Sequence, residues 1–372
     1  MLRSDGVPLE LTGNLLKEVG FSFIVINEIV GSEVRNILVI GIGGGGDVVG
    51  STITYNLAVN EGIDAVLGAV LWERYVVDII PGPINIDELR NAEYLGNYVA
   101  VVNGDTYAIR GGRRITPQIA NVLSVVKDDG IGISISGSII DIASELSDYV
   151  SKYGIDAVIG IDVGGDSIAI GNEEGLYSPL ADSYAIAILA KVQELTNIPV
   201  ILGIAGPGVD GELDRDYVLM RISQLASKGA FLGAYGPTRS DIALLEDLLS
   251  KAVTEASALV YRAARGFYGS ANIRGSTRSV RLDIVSSLTY YLDLKMVLDD
   301  LPMASMLINA NVKDPWDAMR LLNSKGIMTE LNFEEEVYKY YKAKSRIPSP
   351  EEAYLMIKEI KNKIKSIKQT AR

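Results

Sequence analysis

The sequence predicts an α/β protein with a doubly wound, mostly parallel, Rossmann-like sheet and a C-terminal helical appendage. Three observations predict it. Ile37, Leu38, Val39 and Ile40 run together without polar interruption, and five glycines follow within residues 41–46. Apolar runs then alternate with helical patterns as far as about residue 264. From about Arg278 the pattern changes, and after Ala310 only helices follow. An unbroken apolar strand must be covered on both faces, as in parallel sheets flanked by helices. Alternation of strand and helix is the mark of βαβ units.

Each element has a local reason. Residues 1–35 read as an amphipathic helix or mixed lead-in, with Leu15, Leu16, Val19, Phe23, Ile24 and Ile29 as its apolar positions. Strands are expected at 36–41, 64–71, 98–102, 131–136, 155–161, 199–204 and 230–234, with one or two more between Arg278 and Leu292. Helices are expected at 48–61, 139–153, 184–195, 213–228 and within 239–264, then at 316–324, 333–344 and 350–368. Ser349, Pro350 and Glu352 form a capping box for the last. Residues 1–300 are read as the Rossmann-like domain and 301–372 as the helical segment packed on it.

Strand, glycine turn, helix is the geometry that presents backbone N–H groups at a helix N-terminus. The amides of Gly43, Gly44, Gly45 and Gly46 are therefore candidates for holding an anion. Asp47 sits where an N-cap belongs. A phosphate-binding P-loop would carry lysine there, so that reading is excluded. Gly41, Gly43 and Gly46 satisfy G-x-G-x-x-G, as would many patterns in so glycine-rich a run. Glu73, 27 positions beyond Gly46, lies past the roughly 20-residue spacing of a ribose contact, which makes nicotinamide chemistry a poor reading. Asp47 either caps its helix or shares a cation with the ligand.

Composition narrows the chemistry. The chain of 372 residues is 48% hydrophobic, carries a net charge of −12, and contains no cysteine and no histidine. Acidity argues against nucleic-acid binding. Haem has no histidine or cysteine ligand here, and iron–sulfur clusters and Cys/His zinc sites are excluded, as are thiolate nucleophiles and histidine bases. Acid–base work falls to Asp, Glu, Lys, Tyr or metal-bound water. Any metal takes oxygen ligands, which points to Mg²⁺ or Mn²⁺. No apolar run reaches the roughly 18 residues of a membrane span, and Met1–Pro8 has no signal-peptide character. A cytoplasmic protein without a membrane partner is expected, with self-association as a prior. Four glutamines and no cysteine suit a thermophile.

Aspartates beside glycines end several of the strands: Asp47, Asp105, Asp162 with Asp166, and Asp210 after Gly206 and Gly208. Asp182 and Ser183 open the helix after the Asp162 loop. In a parallel sheet these loops converge on one rim, where carboxylates can hold a divalent cation that in turn holds a small anion. Clustered carboxylates also repel, so one can keep a proton for acid–base work. Ordinary turn and capping chemistry is the alternative for each aspartate alone. Asp47, Asp162 and Asp166 are the leading catalytic and metal-binding candidates. Gly43–Gly46, Asp105, Asp182, Ser183, Gly206, Gly208 and Asp210 are the ligand-binding ones. Arg110–Arg114 and Arg262–Arg281 are the basic segments suited to an anion, or the first is a solvated hairpin. Ser124 and Lys127 match S-x-x-K without its companion motifs and read as one helix face. Trp72, Glu73 and Arg74 read as core and salt bridge, and Tyr290 and Tyr291 as packing.

As a set, Gly43–Asp47, Trp72–Arg74 with Asp78 and Pro81–Pro83, Gly160–Asp166, Ser178–Ser183 and Gly203–Leu213 resemble an archaeal family, domain of unknown function 1152 (DUF1152). The resemblance spans most of residues 36–300. It implies a cytoplasmic archaeal protein, supplies no activity, and gives Trp72–Arg74 more weight than packing alone. Asp162–Gly171 is also similar to the glycine-rich acidic loop of the D-glutamate cyclase domain, whose members dehydrate a small amino acid without a nicotinamide. The expected function is an enzyme acting on a small anionic metabolite, with a phosphorylated compound or a nucleotide among the options, by hydrolysis or transfer with a divalent metal held by aspartates. A metal-independent lyase or cyclase on a hydroxy or amino acid is the alternative, and a non-catalytic nucleotide sensor another.

Overall fold

The computed structural model describes residues 25–370. Of the apolar positions expected in the lead-in, Ile29 is buried on the helix Val25–Val30, and the others lie outside the described residues.

Fourteen strands occur among the described residues. They are β1 (Asn36–Gly41), β2 (Asp64–Val70), β3 (Leu89–Arg90), β4 (Glu93–Tyr94), β5 (Val99–Val102), β6 (Tyr107–Arg110) and β7 (Arg113–Ile115). Then follow β8 (Gly130–Ile133), β9 (Ala157–Val163), β10 (Val200–Ala205), β11 (Phe231–Tyr235), β12 (Gly269–Ile273), β13 (Arg278–Leu282) and β14 (Thr289–Asp293). Nine of them form the central sheet, in the order β11-β14-β10-β9-β1-β2-β8-β5-β4. The five from β10 to β8 run parallel. β14 opposes β10 and β11, and β5 opposes both β8 and β4. The α/β class, the mostly parallel sheet and the helical C-terminus are as the sequence predicts.

The chain winds outward from β1 through β2 to β8, then returns to the other side for β9 and β10. That reversal places the topological switch point between β1 and β9, where open α/β sheets bind ligands at the carboxyl ends. The alternation of side chains along β1 fills both faces. Leu38, Ile40 and Ile42 join a core with the helices Ile139–Lys152 and Leu180–Thr196. Ile37 and Val39 join one with the helix Asp47–Asn60. The C-terminal helices share the first core through Met303, Leu307, Leu322 and Leu331. The last, Pro350–Thr370, begins with the predicted reciprocal cap: Ser349 N–H donates to Glu352 at 2.7 Å, and Glu352 N–H donates to Ser349 Oγ at 3.3 Å. No described helix is long and apolar enough to cross a membrane.

Two small sheets stand apart from the central one, β3-β6-β7, absent from the expected strands, and β12-β13, whose second strand falls in the expected Arg278–Leu292 stretch. Arg110 opens the turn between β6 and β7, with Gly111 and Gly112 at positive φ. It is not free for an anion: its guanidinium is buried against Asp78 and also pairs with Glu88 at 3.1 Å. Tyr291 packs in the core with its hydroxyl on Thr54 at 2.9 Å.

Candidate functional site

The loop after β1 turns into the helix Asp47–Asn60 with Gly46 at the N-cap and no side-chain cap. Asp47 therefore does not take the capping role the sequence suggests. Its Oδ2 accepts from Gly43 N–H at 3.0 Å and Val163 N–H at 3.3 Å, tying the loop after β1 to the end of β9. Gly43 is required here: a Cβ would strike the Asp47 carboxylate and lie 3.0 Å from Asp182 Oδ1. Most of the expected amide cradle is already spent. Gly43 N–H serves Asp47, Gly45 N–H donates to Trp72 O at 2.8 Å, and Gly46 N–H donates within the loop to Gly44 O. Gly44 N–H is the loop amide left for a ligand among the described residues.

Asp162 is the best anchored acid. It accepts from Gly165 N–H at 3.3 Å and from Ser167 N–H at 3.1 Å, and the Ser167 hydroxyl also donates to it. Asp182 lies in the first turn of Leu180–Thr196, 3% exposed, and its Oδ1 has no partner. Asp47, Asp162 and Asp182 each bring an oxygen within 4.8 Å of the others, and Asp166, Asp210 and Glu212 do the same. The predicted trio is thus divided: Asp47 and Asp162 sit with Asp182, and Asp166 sits in the second group. All six donors are oxygens, and Asp182 Oδ1 and Asp210 Oδ1 are both buried without a partner. That donor set fits Mg²⁺ or Mn²⁺.

These acids line a cavity of about 100 Å³ at the switch point. An adjoining hollow of about 280 Å³ shares Arg74, Tyr75, Tyr177, Thr254, Glu255, Arg274 and Phe333 with it. The inner space has the size for a small polar group, and the outer one is larger. Arg74 and Arg274 line both, and Glu255 pairs with each, at 3.4 and 3.8 Å. Tyr75 and Tyr177 meet Phe333 edge-on, at 5.2 and 6.5 Å between ring centres. Arg274 holds a left-handed backbone, φ 57°, in the turn between β12 and β13. The turn aims its guanidinium inward, 3.9 Å from Glu212.

The electrostatics are those of crowded acids. Burial, reinforced by neighbouring carboxylates, pushes Asp47, Asp166 and Asp182 well above the usual carboxylate range. Burial and Glu212 push Asp210 up to about 8. Burial also raises Asp162, though the Ser167 hydroxyl and two backbone amides pull it back. Burial lowers Arg74, with Arg274 opposite adding to the effect. Burial also opposes the charge of Arg274, but Tyr177, Glu212 and Asp210 outweigh it and hold the guanidinium above its usual value.

Of the sequence candidates, Gly43, Gly44, Gly46, Asp47, Asp162, Asp166, Asp182 and Asp210 line the cavity. Gly45 does not line it, and its amide is held by Trp72 O. Ser183 is buried in its helix, with its amide on Pro179 O, and Gly206 and Gly208 shape the turn that carries Asp210. Asp105 is a correction. β5 runs against β8, so the loop after it falls on the opposite edge, where Asp105 is exposed near Ser124, Lys127 and Asp128. Glu330, Glu334, Thr254 and Glu255 were not singled out from the sequence, Glu212 stands in the acidic loop of Asp210 and Arg274 in the basic segment Arg262–Arg281, and Trp72, Glu73 and Arg74 line the cavity rather than only packing. Glu330 and Glu334 carried a signal: they stand one helical turn apart on the face that holds Leu331 and Val337.

No curated protein matches the chain, and no solved structure does. The family model described as protein of unknown function (DUF1152) matches residues 38–338, a span that contains every cavity residue named above, and the chain belongs to that family.

Proposed function

We propose that the protein is an enzyme that binds a small anionic metabolite, phosphorylated or a nucleotide, at the carboxyl edge of the sheet. A divalent cation held by Asp47, Asp162 and Asp182 assists hydrolysis or group transfer. The observation that carries this reading is Asp182 Oδ1, buried without a partner beside two other carboxylates. Two such charges within 4.8 Å of each other repel by at least about 3.5 kcal/mol at an effective dielectric constant of about 20. Protons or a cation must relieve that repulsion. Among the described residues no lysine lines the cavity, and the arginines stand on its outer side.

A bound Mg²⁺ or Mn²⁺ would polarise the anionic group and lower the pKa of a bound water. The chain supplies the rest. Arg74 and Arg274 meet the anion's outer oxygens, and Gly44 N–H is free to donate to it. Trp72, Tyr177 and Phe333 wall the inner cavity from water, so the charges act in a low dielectric. The same proposal places the protein in the cytoplasm.

One observation favours a second reading. Asp210 is pushed up to about 8, so without metal a carboxyl stays protonated near neutral pH. Such a group is suited to acid–base work in a metal-independent lyase or cyclase.

A thermal-shift screen with nucleotides, sugar phosphates and small acids, each with and without Mg²⁺ or Mn²⁺, separates the two, because a ligand of the native state raises Tm. A shift that needs both anion and metal is expected. A shift with a hydroxy or amino acid alone, unaffected by EDTA, would move the assignment to the lyase. No shift with any of them would overturn both.

A further inference from the structure

The second group of carboxylates has its own architecture. Asp166, Asp210 and Glu212 are 6%, 5% and 4% exposed, and each brings an oxygen within 4.8 Å of the other two. They come from different loops: Asp166 follows β9, and Asp210 and Glu212 follow β10. Gly164 lets the loops approach. It holds φ 134°, and a Cβ there would lie 2.5 Å from Asp210 Cγ.

The protein anchors Asp210 by one oxygen and leaves the other open, while both oxygens of Glu212 are held. Asp210 Oδ2 accepts from Glu212 N–H at 3.1 Å, while Asp210 Oδ1 is buried in the cavity wall with no partner. Glu212 accepts from Tyr177 N–H at 2.8 Å and Ser178 N–H at 3.0 Å, and the Ser178 hydroxyl donates to its other oxygen. The guanidinium of Arg274, 3.9 Å from Glu212, is too distant for a hydrogen bond and leaves Asp210 Oδ1 unanswered. Asp166 and Asp162 line the same cavity, Asp162 near the end of β9 and Asp166 just after it, so this group abuts the first.

We propose that Asp166, Asp210 and Glu212 hold a second divalent cation, and that the ligand is a phosphoryl compound whose oxygens are shared between the two ions. This rests on the single-cation reading given above. Two adjacent cations repel unless an anion bridges them. A phosphoryl group has enough oxygens to meet both ions and still face Arg74 and Arg274, which is the arrangement two-metal sites use to clamp phosphorus.

The test is Mn²⁺ stoichiometry on full-length, EDTA-stripped protein, by equilibrium dialysis with elemental analysis and by electron paramagnetic resonance. Two Mn²⁺ per chain are expected, with spectral broadening from the pair. Asp210→Asn and Asp182→Asn should each retain one ion and lose the broadening. Glu212→Gln replaces Asp210→Asn if circular dichroism shows that variant unfolded. Inorganic phosphate should tighten Mn²⁺ binding in the wild type, as reciprocal coupling requires. One ion in the wild type, kept by Asp210→Asn and lost by Asp182→Asn, would overturn the second site and leave the single-cation reading standing. No ion at all would remove both. Two ions in a folded Asp210→Asn would overturn the assignment to these residues, and indifference to phosphate would overturn the ligand class.

Discussion

Glu330 caps the helix that carries Asp182. Its two oxygens accept from Leu180 N–H at 2.9 Å and Ala181 N–H at 2.6 Å, the first amides of Leu180–Thr196. The N-cap residue is Pro179, which offers no side-chain bond. A first-turn aspartate ordinarily serves such amides itself. Because a distant helix does so here, Asp182 Oδ1 stays open to the cavity. Glu330→Ala should destabilise the fold by about 1 kcal/mol, the usual cost of a lost cap. It should also weaken stabilisation by Mg²⁺, since Asp182 can then turn back to its own helix. Urea unfolding with and without Mg²⁺ reads both effects, and a variant matching the wild type in both would sink the argument.

Asp182→Asn tests the conflict between stability and binding. Burial and Asp162 raise the Asp182 carboxyl well above its ordinary range. A carboxyl raised on folding contributes stability at low pH that is lost as pH climbs through its folded value. Asparagine has no such loss. The metal-free variant should therefore gain on the wild type as pH rises, while losing its response to Mg²⁺. Melting curves at pH 6 and 9 in EDTA decide it. A variant less stable than the wild type at both would show that the carboxylate is needed for folding.

Much of this was legible in the sequence. The unbroken apolar runs of β1, β2, β9 and β10 identify covered strands, and the glycines after β1 and β9 mark the loops that meet. Strand direction was not legible. The run Val99–Val102 reads the same either way, and only its antiparallel pairing with β8 sends Asp105 to the far edge. Asp105→Asn should accordingly leave ligand binding unchanged in the same thermal-shift screen. Arg274 lay within the basic segment Arg262–Arg281 expected to suit an anion, but nothing in the turn between β12 and β13 singles it out from the other arginines or reveals that it packs over a rim built from β1, β9 and β10. The capping role predicted for Asp47 failed for a tertiary reason: Val163 N–H, 116 positions away, competes for its oxygen.

Four further raised carboxyls add to the pH response that Asp182 gives the metal-free protein. Burial pushes Glu73 and Glu330 up to about 7, and Glu334 and Asp210 up to about 8. Each holds a proton in the folded state that it releases when unfolded. Stability should fall as pH rises from about 4.5 to about 8, Glu73 and Glu330 contributing to the fall up to about 7 and Glu334 and Asp210 up to about 8. Saturating Mg²⁺ should flatten the curve by favouring the ionised form of Asp210. Unfolding free energies across that range, with EDTA and then with Mg²⁺, check the sign. A rise with pH in EDTA would mean these carboxyls ionise readily in the fold.

Trp72 and Glu334 give the last test. Trp72 Nε1–H lies 3.0 Å from both Glu334 oxygens, and Gly82 N–H donates to the same carboxyl at 2.9 Å. Trp72 is 2% and Glu334 7% exposed. Trp72→Phe removes a buried donor and leaves the carboxyl under-satisfied, at a cost of about 1–3 kcal/mol. Glu334→Gln keeps a carbonyl oxygen for both donors and matches the protonated form that burial favours at neutral pH. It should cost much less. The order Trp72→Phe worse than Glu334→Gln, measured by urea unfolding at pH 7, follows from a neutral Glu334. The reverse order would mean that Glu334 is ionised there and that its charge is part of the cavity's field.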